Sequence, residues 1–256
     1  MKYTWLIIGL GFLILWGCAP SAVKKAPRKP LPPAEYSIPN DSGKTKIVLK
    51  TENVRETPNG EKIGTIRKGE RVTVLRRVGN WVEFDSRNFV EAYIWAPSLG
   101  YPYINLYAPT VYYDTTRQQF KPLSYLQALF AQKGTIVEQS PNEEVIFFTD
   151  IGLGSHTETE VEVVQATQKE VKHGVTVYVA PDTRTIRKVK IDFYKPLTGV
   201  KTALAKCGLP YHTPDEETDS HVRWNPGTLV PGLAVILERQ EWKSNRFTAV
   251  IYEHTP

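Results

Sequence analysis

Between Thr45 and Gly100 the chain is a succession of short β runs cut by glycine turns, and this pattern narrows the fold more than any other feature of the 256 residues. Lys46-Ile47-Val48-Leu49-Lys50 leads to Asn53-Val54-Arg55-Glu56 and then to the turn signal Pro58-Asn59-Gly60. Lys62-Ile63-Gly64-Thr65-Ile66 precedes Lys68-Gly69-Glu70, and Arg71-Val72-Thr73-Val74-Leu75 alternates cleanly. Asn80-Trp81-Val82-Glu83-Phe84 alternates again, followed by Ala92-Tyr93-Ile94-Trp95. Runs of about five residues separated by such turns predict an all-β unit, a small barrel or sandwich.

The ordered series NVRETPNGEKIGTIRKGERVTVLRRVGNWVEF, followed by AYIWAPSL, resembles a bacterial SH3-type domain over residues 45–100. The features that carry the likeness are the Asn-Val-Arg start, a Gly before an Ile, a Lys-Gly before a Val-x-Val strand, a Gly-x-Trp and a closing Tyr-Ile. Ala92 stands where the family usually has Gly, and a positive φ there would be strained. The resemblance implies a small SH3-like barrel that binds cell-wall peptidoglycan, commonly its peptide parts. It further implies a ligand-binding rim of Trp81, Tyr93 and Trp95, with Asn80 and Arg55 as polar partners. Flat rings cover the apolar parts of a peptide or sugar while polar edges set its orientation. The competing expectation is that Trp81 and Tyr93 fill the core of a barrel with little interior. Tyr93 and Trp95 share a strand face and therefore an environment.

Residues 101–256 have a different texture. KPLSYLQALFAQKG (Lys121 to Gly134) and KPLTGVKTALAKCG (Lys195 to Gly208) resemble each other. Each places apolar residues at helical spacing and ends on Gly, a helix C-cap residue. Acidic stretches follow both, Glu138 to Glu144 and Pro210 to Asp219. Strands are predicted next over 145–148, 161–164, 175–179 and 189–193, and again over 221–224, 233–237 and 247–251. This order predicts an α+β region of two helix-plus-antiparallel-sheet repeats, about 121–194 and 195–256, able to join into one larger sheet. In architecture alone it is similar to small modules of envelope lipoproteins and β-lactamase-inhibitor-type proteins, which serve as interaction surfaces.

At the other end, Trp5 to Gly17 is almost wholly apolar behind Lys2. It is shorter than the roughly 20 residues of a spanning helix and suits a signal peptide over residues 1–17. Leu15-Trp16-Gly17-Cys18 resembles a bacterial lipobox, which implies that Cys18 carries a diacylglycerol and becomes the mature N-terminus. Residues 18–44, rich in Pro and Lys, read as an extended tether that could reach about 75 Å. From Cys18 to Gly100 there are 15 basic and 9 acidic residues, against 16 and 18 beyond. The basic half thus lies nearest the membrane or wall polymer.

Signals for chemistry are sparse. With Cys18 lipidated, Cys207 has no partner, and its place in the last turn of a helix disfavours a thiolate. His212, His221 and His254 follow it without a peptidase signature. His212, Asp215, Glu216, Glu217, Asp219 and His221 match no standard metal spacing. Ile151 to Ser155 lacks the Lys and helix of a phosphate loop. No catalytic residue, metal ligand or cofactor is therefore assigned. The function expected is that of a lipid-anchored protein of the bacterial cell envelope, facing the periplasm if there are two membranes. Its expected partners are peptidoglycan or an envelope peptide and an envelope protein, not nucleic acid. The alternatives are a cell-wall hydrolase or amidase with an unrecognised C-terminal site, and an assembly factor that binds only protein.

Overall fold

The computed structural model describes residues 36, 38–153, 155–162 and 165–254. Each β run of the first unit becomes a strand: β1 (Thr45–Ile47), β2 (Glu52–Arg55), β3 (Lys62–Ile66), β4 (Arg71–Val78), β5 (Trp81–Asp85) and β6 (Ala92–Trp95). They form one antiparallel sheet in the order β1-β4-β5-β6-β2-β3. Alternation sends Val54, Ile66, Val72, Val74, Val82, Phe84 and Ile94 into a small core of their own. Ala92 is buried there in extended conformation, and the positive φ falls one residue earlier, on Glu91. A bulge between Val74 and Arg76 reverses the alternation of β4, so Val78 faces the opposite side.

The expected barrel does not close. β1 and β3 are the open edges of the sheet, with no ladder between them. β1 is only three residues long, and the chain after it meets the β3–β4 turn through isolated hydrogen bonds. Val48 N–H donates to Glu70 O at 2.9 Å, and Gly69 N–H to Val48 O at 2.8 Å. Turn contacts thus stand where a barrel would have a seam.

A tyrosine-rich connection leads onward through α1 (Pro109–Tyr112), the two-residue strands β7 (Tyr113–Asp114) and β8 (Gln119–Phe120), and α2 (Leu123–Phe130). Next come β9 (Thr135–Gln139), β10 (Glu144–Phe148), the hairpin β11 (Ser155–Glu162) and β12 (Gln165–Lys172), β13 (Val175–Val179) and β14 (Ile186–Thr198). The last group is α3 (Val200–Lys206), β15 (Glu216–Glu217), β16 (His221–Trp224), β17 (Ala234–Arg239) and β18 (Arg246–Glu253). Residues 163 and 164 of the strand expected over 161–164 lie outside the described residues.

Eight of these strands make one antiparallel sheet, ordered β15-β16-β17-β18-β14-β13-β10-β9. Each half follows a helix, runs as a four-stranded meander, and meets the other at the β14–β18 pair. Leu126, Leu129 and Phe130 of α2 and Ala203 and Leu204 of α3 join a single core with Val177, Val189, Ile191, Trp224, Leu237 and Tyr252 from one face of the sheet. That core also takes in Val78, Trp81 and Tyr93 of the first unit. Both sheets belong to one compact unit spanning Glu35–Pro256.

The expected signal peptide and Cys18 lie outside the described residues, as does most of the expected tether. The tether's last residues are docked. Tyr36 donates its hydroxyl to Asp114 Oδ2 at 2.6 Å, Ile38 packs on the large core, and Tyr101 donates to Asp41 Oδ2 at 2.8 Å. Lys44 and Lys46 flank Asp41 as well, and together these donors hold its carboxyl down at about 2.

Candidate functional site

Strand register assembles the predicted aromatic residues on the outer face of the first sheet. Val78, Trp81 and Trp95 form one cross-strand row, and Arg76, Glu83, Tyr93 and Arg55 the next. Neither Trp81 nor Tyr93 lies in the core of its own sheet. Both are covered by the second unit instead, at 7% and 8% exposure. Trp81 and Trp95 pack edge to face with centroids 5.3 Å apart.

The second unit docks at this face through backbone as well as side chains. Gly79 N–H donates to Leu129 O at 2.9 Å, at the end of α2. Gly152 lies against the indole of Trp81, where a Cβ would come within 2.5 Å of Nε1. Its φ of +87° is a second reason for glycine at that position.

Beside this contact a cavity of about 200 Å³ remains. Trp81 and Trp95 line it from β5 and β6, Tyr103 and Tyr107 come from the connection, and Tyr194 and Lys206 come from β14 and α3. Trp95 and Tyr103 lie 6.0 Å apart, tilted at 37°. Tyr107 stacks obliquely on Phe193, and burial pushes its hydroxyl up to about 12, so it stays protonated. Neither indole N–H has an acceptor among the described residues. The arrangement offers flat apolar walls with unused donors, suited to a ligand bound by stacking and oriented by hydrogen bonds.

The predicted polar partners have defined places. Asn80 lines the cavity, but its amide is occupied: Nδ2 donates to Ile104 O at 2.6 Å, and Ile104 N–H donates to Oδ1 at 2.7 Å. It fixes the connection that carries Tyr103. Arg55 donates to Gly60 O at 2.6 Å, steadying the turn that brings Asn59 to the cavity, and its guanidinium lies 5.9 Å from the Trp81 ring. Tyr93 does not line the cavity; it accepts from Arg76 Nη2 at 3.1 Å, beside an ion pair of Arg76 with Glu83.

Tyr103, Tyr107, Tyr194 and Lys206 were not singled out from sequence. The first two carry a signal, since the connection reads YPYINLYAPTVYY and begins directly behind the first unit. Tyr194 and Lys206 carry none, because only the fold brings them to a site about a hundred residues earlier.

Cys207 is fully buried, and desolvation pushes its thiol up to about 12, out of reach of nucleophilic chemistry at neutral pH. The acidic loop residues have local partners: Asp215 accepts from Asn225 N–H and Thr228 Oγ1, Glu217 pairs with Arg239, and Asp219 with Lys243. Among the described residues no three His, Cys, Asp or Glu side chains gather as a metal site.

The fold and site define a small open β-sheet module that presents an aromatic face. Residues 49–100 match the bacterial SH3 domain family, and this segment is a bacterial SH3 domain. Comparison of the chain with curated proteins and with solved structures gives no match.

Proposed function

We propose that this protein binds cell-wall peptidoglycan without acting on it chemically, and does so through the aromatic cavity between its SH3 domain and second unit. The observation that carries the reading is that Trp81 and Trp95, paired across two strands, line one cavity together with Tyr103 and Tyr194, on a domain of a family consistent with wall binding. Stacking by several rings binds a peptide or sugar face while tolerating variation in its polar groups. The lipobox-like Leu15 to Cys18 supports attachment to a bacterial membrane through lipid on Cys18, with the Pro- and Lys-rich residues 18–44 leading toward the wall. The matched order of helix and four strands in the two halves of the large sheet supports their origin as a tandem repeat. In this reading the second unit completes the cavity and offers its remaining surface to an envelope protein.

Incubation of the full-length protein with purified peptidoglycan tests the proposal. Retention on the sedimented wall with no soluble wall fragments is the expected result. Release of fragments would make the protein a hydrolase. Failure to sediment with wall at low salt, together with capture of a defined protein partner, would make it an assembly factor.

A further inference from the structure

We propose that the ligand in this cavity is a wall peptide bearing a free carboxylate, and that Lys206 of the second unit reads it. The inference rests on the wall-binding reading and goes beyond it by naming the ligand group and the residue that recognises it. Among the described residues lining the cavity Lys206 is the one cation, and none of them carries a carboxylate. The Lys206 ammonium lies 4.8 Å from the centre of the Tyr107 ring and has no ion-pair partner among the described residues. An ammonium over an aromatic ring at the cavity, with no ion pair to a described acid, is matched by an anionic group on the ligand.

The placement is built into the fold. Lys206 ends α3, and its backbone carbonyl accepts from Asn105 Nδ2 at 3.0 Å. Asn105 belongs to the same connection as Tyr103 and Tyr107. Its own Oδ1 accepts from Tyr107 N–H at 3.1 Å. One asparagine thereby fixes the root of the cation and the ring beneath it. Asn59, at a positive φ of 60° in the turn held by Arg55, also lines the cavity and brings it an amide. An amide, a single ammonium and unused indole donors between rings suit a short peptide ending in a carboxylate. A neutral sugar strand would leave the ammonium unmatched. The site is composite, since the SH3 domain alone supplies the tryptophans but not the cation.

The test measures binding of full-length protein, wild type and Lys206→Ala, to peptides released from peptidoglycan. These are used as prepared and after carbodiimide amidation of their carboxylates. A third probe is glycan strand stripped of peptide. Lys206 is exposed, so its truncation leaves the fold intact, which the melting temperature checks. The wild type is expected to bind the free acids about tenfold more tightly than the amides, in the range of a charge-assisted hydrogen bond. Lys206→Ala should bind both equally, at the wild-type amide level, and Lys206→Arg should recover most of the preference. Equal binding of acid and amide by the wild type, with intact wall still retained, would overturn the carboxylate inference and leave the wall-binding reading standing. Tighter binding of stripped glycan than of peptide would overturn it in favour of a sugar ligand. Absence of binding to intact wall and to every probe would overturn both.

Discussion

At the scale of single residues, a buried amide and a half-buried carboxyl make opposite contributions. Asn80, 5% exposed, satisfies both backbone groups of Ile104. Asn80→Ala leaves that donor and acceptor unpaired and should lower stability by about 2–3 kcal/mol in urea denaturation. A loss below about 0.5 kcal/mol would show that water replaces the amide without cost. Asp192 lies on the other face of the large sheet, beside Lys190, Glu238 and the Gly174 N–H. Burial raises its carboxyl above the ordinary value despite the opposing pull of Lys190 and Gly174. Its folded pKa therefore lies above the unfolded value of about 3.9, and its contribution is fully present below that pH. The contribution is lost as pH rises through the raised folded value. Asp192→Asn is neutral throughout, so it should raise the melting temperature at pH 7 and lose that advantage below about pH 4. An unchanged or lower melting temperature at pH 7 would contradict this assignment.

Among the elements, the end of α2 shows what a pattern of residues conceals. Sequence places the helix stop at Gly134, a familiar C-cap residue. The helix instead ends at Phe130, with Ala131 at φ +50° and Gln132 N–H closing on Gln127 O. Gly134, also at positive φ, turns the chain into β9, where a Cβ would come within 2.4 Å of Ile146. The early stop follows from docking, since Gly79 of the SH3 domain already donates to the Leu129 carbonyl. Left-handed backbone costs a residue with a Cβ about 1 kcal/mol. Ala131→Gly should therefore stabilise the protein by up to about that amount, read as a rise in the denaturation midpoint. Destabilisation would mean that the Ala131 methyl group matters more in packing than in backbone strain.

The same contrast sets how much was legible beforehand. The strands of the SH3 domain and most of the second sheet are written in alternation, because each buries one face. β9 is exposed along its whole length and has no such alternation, and its last two residues fall in the acidic stretch that begins at Glu138. Trp81, Tyr93, Trp95 and Arg55 are legible as one surface because they lie on paired strands of a recognisable domain. The rest of the cavity is hidden because Tyr194 and Lys206 reach it only through the packing of distant elements. The open sheet was also hidden, since closure depends on pairing at its edges and not on the pattern within each strand.

For the whole molecule, the shared core has a thermodynamic consequence. Trp81 and Tyr93 are buried by the second unit, and each such burial contributes about 2–3 kcal/mol. The SH3 domain and second unit should unfold in one cooperative calorimetric transition. The isolated segment 45–100 should melt lower, with Trp81 fluorescence shifted to the red. Two resolved transitions in the full-length protein would show that the docking surface stabilises little.

The central claim is that rings at the junction of these units hold the wall, and Trp95 tests it most directly because it is only partly buried and lines the cavity. Binding of full-length wild type and Trp95→Ala to purified peptidoglycan should be measured by co-sedimentation, alongside their melting temperatures. The account predicts at least a tenfold loss of affinity for Trp95→Ala with a melting temperature close to that of the wild type. Equal affinities, with both proteins folded, would contradict it.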